Sequence, residues 1–149
     1  MKKELYVTAS ADIEASTEKV WDYLTNPEHT RQYMYGCEPD SNWENGSPLV
    51  WKGEYEGKEM IFVKGEIVNI IPGKVLQYTV FDPNMGIKDI PENYLTVTYE
   101  LEENKYSTIL TVKQGNFAVV EKGKERYNET AESWEKFLQK IKELIEEEE

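Results

Sequence analysis

The strongest constraint on this chain lies in its last long segment. Over residues 122–147, Tyr127, Ala131, Trp134, Leu138, Ile141 and Ile145 recur at steps of four and three. That spacing stacks side chains on one face of an α-helix. Thr130, Phe137 and Leu144 flank the stripe. A helix with such a face holds its shape by burying it against another layer, so the rest of the chain must supply that layer.

What precedes it reads mainly as strands. Leu5, Val7, Ala9, Ala11, Ile13 and Ala15 alternate with Tyr6, Thr8, Ser10, Asp12, Glu14 and Ser16, giving one apolar and one wet face. The period then changes. Val20, Tyr23 and Leu24, with Trp21 beside them, have helical spacing behind Ser16 as N-cap, and this helix ends near Thr25. Asn26-Pro27 starts a second short helix, with Pro at its first position, running through about Tyr33. A loop with Gly36, Pro39 and Asp40 follows, and Trp43 is placed in a short strand before the Asn45-Gly46 turn. Further strands are expected over 49–55, 60–71, 75–81, 94–102 and 106–114, with 60–71 the longest. In the last of these, Thr108, Leu110, Val112 and Gln114 share a face. The strand-to-strand links are short, apart from the 82–91 loop, so the sheet is expected to be antiparallel. Its apolar face is where the terminal helix packs. The fold class is α+β.

Composition removes several functions. Acids outnumber bases 29 to 17 for a net charge of −12, so there is no basic stripe to neutralise nucleic-acid phosphates. An anionic membrane surface would repel the chain, and no apolar run approaches the ~20 residues of a spanning helix. One cysteine, Cys37, cannot form an intramolecular disulfide, which argues against a secreted stapled scaffold. The first residues lack the apolar core of a signal peptide. The expected location is the cytoplasm, and Asn45-Gly46-Ser47 and Asn128-Glu129-Thr130 read as chance sequons.

The order of elements and several motifs resemble the helix-grip fold of the START-like, or SRPBCC, superfamily. Within it, the chain is similar to the branch named for the activator of the heat-shock-protein-90 ATPase. Ala15-Ser16-Thr17-Glu18-Lys19-Val20-Trp21 with Leu24-Thr25-Asn26-Pro27-Glu28 resembles its opening signature. Trp43, Gly46-Ser47-Pro48 and Trp51 resemble the next segment, and Gly65-Glu66-Ile67, Ile70-Ile71-Pro72 and Leu76-Gln77-Tyr78 the central hairpin. Thr108-Ile109-Leu110-Thr111-Val112 resembles the last strand, and Trp134, Leu138, Ile141 and Lys142 the final helix. The resemblance implies one START-like domain over residues 1–149: a curved antiparallel sheet wrapped around a long C-terminal helix, with two short helices after the first strand. It leaves function open, since members bind lipids, hormones or polyketides, a few are cyclases or hydrolases, and one branch stimulates a chaperone. Two positions depart from the pattern. Ser133 precedes Trp134 where many members carry glycine, and the last strand ends in Lys113-Gln114 without the histidine frequent there. No role of that histidine carries over.

Reactive chemistry finds few residues. His29 is the sole histidine and reads as a surface residue; Cys37, a partly buried loop thiol, has no second histidine to activate it. No catalytic residue is assigned. One histidine and one cysteine do not make a zinc site, no calcium-loop motif is present, and no metal or cofactor is expected. Glu54 with Glu56, and Glu100 with Glu102, share strand faces and read as solvated charge.

The aromatic residues serve equally as core or as the lining of a cavity between sheet and helix. For the lining we select Trp51; Val63 and Ile67; Tyr78 and Val80; Tyr99, Leu110, Val112 and Gln114; and, from the helix, Tyr127, Ala131 and Trp134. Tyr33, Met34 and Met85 are expected at the mouth, and Gln114 is the polar group able to orient a ligand. Three functions compete: binding of an apolar or aromatic small molecule, an interaction module for a chaperone, and a hydrolase or cyclase using a buried carboxylate with tyrosine. The expected state is a monomer or weak homodimer.

Overall fold

The structure, a computed structural model, describes residues 4–34 and 36–148. Seven strands form one antiparallel sheet: β1 (Val7–Ile13), β2 (Glu38–Ser41), β3 (Pro48–Tyr55), β4 (Lys58–Ile71), β5 (Val75–Val80), β6 (Leu95–Glu103) and β7 (Thr108–Gly115), in the spatial order β1-β7-β6-β5-β4-β3-β2. Helices α1 (Thr17–Thr25) and α2 (Pro27–Tyr33) follow β1, and α3 (Gly123–Ala131) and α4 (Ser133–Glu147) end the chain. The layout is the expected α+β helix-grip arrangement.

The local signals act where the sequence places them. Ser16 accepts from Lys19 N at the start of α1, and Asn26 accepts from Glu28 N at the start of α2, with Pro27 opening the helix. Alternation in β1 buries Val7 and Ile13 and leaves Thr8, Ser10 and Asp12 wet. The pairing register carries one rung across the sheet: Val7 opposes Gln114, Gln114 opposes Val97, Val97 opposes Tyr78 and Tyr78 opposes Ile67.

β4 turns the corner of the sheet. Its first part pairs with β3 and its last residues pair with β5, with irregularities between Ile67 and Asn69 and, on β3, between Trp51 and Lys52. Such bulges bend a strand and increase its twist. Gly65 permits the close approach at this corner, since a Cβ there would stand 1.7 Å from the Thr79 carbonyl oxygen.

α4 buries Trp134, Leu138, Ile141 and Ile145 in the core and packs closest to β1. It also tends the edge of that strand. Lys142 Nζ donates to Asp12 O at 2.6 Å, and Glu14 N donates to Glu146 Oε2 at 3.0 Å. Lys19 and Glu148 pair at 2.7 Å, joining the end of α4 to α1.

Several expectations are corrected. The strand near Trp43 lies earlier, at Glu38–Ser41, and Trp43 sits in the following loop with φ +57°. Pro39 is accommodated because β2 is an edge strand, where a missing N–H costs no ladder bond. Glu56 does not share a strand face with Glu54: it turns the β3–β4 hairpin at φ +52°, followed by Gly57 at +78°. The terminal helix is two segments, interrupted at Glu132. Ser133 Oγ donates back to Glu129 O at 3.1 Å there, a bond that favours bending.

Candidate functional site

Because α4 packs toward the β1 edge, the β3–β5 side of the inner face is left partly uncovered. A cavity of about 440 Å³ lies there. Its floor is Trp51 from β3, Tyr78 from β5, Val97 from β6 and Gln114 from β7. Phe62, Val63, Val80, Met34 and Cys37 complete its walls. Thr130, Ser133, Trp134 and Phe137 roof it from α3 and α4. Glu129 is exposed, and Met34, Phe62, Val63, Val80, Asp82, Thr130, Ser133 and Phe137 are half-buried, so the cavity meets solvent along this rim.

Aromatic rings run from the floor into the roof. Trp51 and Tyr78 have centroids 6.2 Å apart, Tyr78 and Tyr99 6.3 Å, Tyr99 and Trp134 5.6 Å, and Trp134 and Phe137 5.6 Å; the last two pairs are edge-to-face. Geometry of this kind adds to the stabilisation from burial and stiffens the wall.

Polar groups inside are few and neutral. Trp134 Nε1 donates to Gln114 Oε1 at 2.7 Å, a buried bond between roof and floor. The Tyr78 and Tyr99 hydroxyls interact by hydrogen bonding, and burial pushes both phenols well above their ordinary range. Burial also pushes up the Cys37 thiol. These groups therefore stay protonated at neutral pH. Among the described residues, Asp82 and Glu129, at the mouth, are the charged members of the lining.

Among the described residues the lining pairs no nucleophile with a base. His29 is not part of it: the ring stacks on Tyr23 at 3.8 Å and its Nε2 meets Asp22 Oδ2 at 3.0 Å. It is thus packed between α1 and α2, with a side chain 19% exposed, where a surface residue was expected. Cys37, read as a partly buried loop thiol, is buried in the wall. Among the described residues no group of three His, Cys, Asp or Glu converges as a metal-ligand set. A larger hollow of about 570 Å³ lies between β1 and the outer side of α4. Glu135, Lys136, Lys140 and Glu143 line it, so it is a solvated surface groove unsuited to an apolar guest.

Seven of the residues selected from sequence meet at the cavity: Met34, Trp51, Val63, Tyr78, Val80, Gln114 and Trp134. Eight do not. Leu110 and Val112 are buried in the core, Tyr99 packs edge-to-face on Trp134, and Ile67 is buried at the β4 corner. Tyr33 is buried and donates to Tyr23 O at 2.6 Å, so it supports the wall from behind. Met85 lies on the 82–90 loop away from the lining. Tyr127 packs edge-to-face on Phe117 at 5.7 Å, and Ala131 is only partly buried. The break at Glu132 explains these two: α3 buries Gly123 and Arg126 in place of the continued stripe. Cys37, Phe62, Asp82, Val97, Glu129, Thr130, Ser133 and Phe137 were missed. A signal for the helical ones existed, because Thr130 and Phe137 flank the packing stripe and so face the space beside the helix.

The family described as "Activator of Hsp90 ATPase homolog 1-like protein" matches residues 14–146. No curated protein matches the chain. Among solved structures, the solution structure of ChR145 from Cytophaga hutchinsonii is 35% identical, covers 99% of this chain and 98% of its own, and superposes with a TM-score of 0.80. MLL2253 from Mesorhizobium loti is 21% identical over 97% of this chain and 98% of its own, with a TM-score of 0.74. The Aha1 dimer from Colwellia psychrerythraea is 17% identical over 93% of each chain, with a TM-score of 0.69. The last two likenesses bear on the fold alone. With the family match spanning all but the ends, and the helix-grip architecture beside it, the chain belongs to the activator of Hsp90 ATPase homolog 1-like family of the START-like superfamily.

Proposed function

We propose that this protein binds an apolar or aromatic small molecule between its sheet and α4. The observation that carries this reading is the cavity of about 440 Å³, walled by Trp51, Phe62, Tyr78, Trp134 and Phe137, with Asp82 and Glu129 the charged members of its lining among the described residues. Pockets of a few hundred cubic ångströms with apolar walls and a few placed polar groups are the usual form of small-molecule sites. A protein-interaction role through a chaperone is a second reading, supported by the family description alone. Added protein that leaves the chaperone's ATPase rate unchanged, with no co-purification, removes that second reading.

The test is a thermal-shift screen of lipids and aromatic compounds. A ligand at a hundredfold excess over its Kd stabilises the native state by about 2.7 kcal/mol. Cys37 gives an independent readout, since it is the one thiol in the chain and stands in the cavity wall. A stabilising ligand is expected to slow its alkylation in step with occupancy. No shift across the library, with alkylation unaffected by every compound, contradicts the reading.

A further inference from the structure

One buried polar group of the cavity, the Gln114 amide, has a fixed orientation. An indole N–H is only a donor, so Trp134 obliges Gln114 to present its carbonyl oxygen to the roof. The amide NH2 is thereby turned away from Trp134. Gln114 is only 8% exposed and lines the cavity, and no hydrogen bond among the described residues uses its NH2. Tyr78, two strands over on the same rung with Val97 between, adds a neutral hydroxyl to the floor. Among the described residues the lining therefore offers a donor but no lysine or arginine. The buried Arg126 is outside that lining; it donates to Asn93 O at 3.0 Å and is attracted to Asp82.

A carboxylate placed there would lose its hydration without gaining an ion pair, which is costly. It would also enter past Asp82 and Glu129, both of its own sign. A hydrocarbon would enter freely but would leave the Gln114 N–H groups without an acceptor. Resting on the binding reading above, we infer that the ligand is a neutral apolar molecule bearing a carbonyl-type acceptor, seated with that oxygen against the Gln114 amide and its apolar body among Trp51, Phe62 and Phe137.

Three probes of similar bulk separate the possibilities: benzophenone, diphenylmethane and diphenylacetate, titrated calorimetrically. Benzophenone is expected to bind about three- to tenfold more tightly than diphenylmethane, the range one neutral hydrogen bond supplies. Diphenylacetate is expected to bind most weakly. Gln114→Glu keeps an oxygen for Trp134 but replaces the free NH2 with an acceptor, so the ketone preference is expected to vanish or invert. Gln114→Met removes both interactions and is expected to bring the ketone and hydrocarbon to equal affinity, so the test holds if the charged variant fails to fold. Equal affinity for ketone and hydrocarbon in the unaltered protein overturns this inference while the cavity reading stands. So does tighter binding of diphenylacetate, or a ketone preference that survives both substitutions. Absence of binding by all three probes, together with a failed library screen, removes both.

Discussion

Trp134 and Gln114 each satisfy a polar group that the other's absence would leave buried. Gln114→Leu keeps the bulk but orphans the indole N–H, a change expected to cost about 1–3 kcal/mol. Trp134→Phe removes the donor and some ring area. In urea denaturation the double variant is expected to be less destabilised than the sum of the two singles, because the polar mismatch is counted once. Strict additivity would mean the bond contributes nothing. Gly65 is constrained by space at the sheet corner, where an added methyl would overlap the Thr79 carbonyl. Gly65→Ala is expected to destabilise by about 1–3 kcal/mol, the usual cost of overpacking, since backbone cannot swing aside as a side chain does. A change within about 0.5 kcal/mol would show that the corner is looser than described.

At the scale of elements, α4 is held at two ends by different chemistry. Its first turns are held by rings and the Trp134–Gln114 bond; its last turns add charge, through Lys142, Glu146 and Glu148. Hydrogen bonds from Lys142 and from the Glu14 N–H hold Glu146 below the ordinary glutamate range, and bonds from Lys19 and Tyr23 do the same for Glu148. A carboxylate whose folded pKa lies below its unfolded value stabilises the fold above the unfolded value, and that contribution is lost as pH falls through the folded value. Glu148 is exposed and Glu146 half-buried, and solvent reaching both limits the effect. The melting temperature of the protein is expected to exceed that of the Glu146→Gln, Glu148→Gln variant at neutral pH. The gap should narrow as pH falls below about 4.5, the ordinary glutamate value. A gap that widens in acid would mean the sign is wrong.

Across the whole molecule, fold was more legible than site, for a physical reason. Alternation in β1, the Ser16 and Asn26 caps, the paired turns and the helical stripe are local patterns, and they place most elements. The site depends on where elements leave a gap, which no single segment encodes. Tyr99, Leu110 and Val112 carry the same inward signal as Tyr78 and Gln114, yet the first three are buried in the core away from the lining and the other two line the cavity. The stripe from Tyr127 to Ile145 reads as one helix because its period is unbroken; the interruption at Glu132 leaves no gap in that period. Phe62 was passed over because β4 turns from one pairing partner to the other, so its faces do not keep one direction along its length. The account as a whole rests on a small molecule entering the space between sheet and α4. The most direct measurement is intermolecular NOEs between bound benzophenone and methyl-labelled protein. Contacts to the methyl groups of Met34, Val63, Val80 and Val97 are predicted. Contacts confined to Ala11 in the outer groove, or none in a sample shown by titration to be saturated, would contradict it.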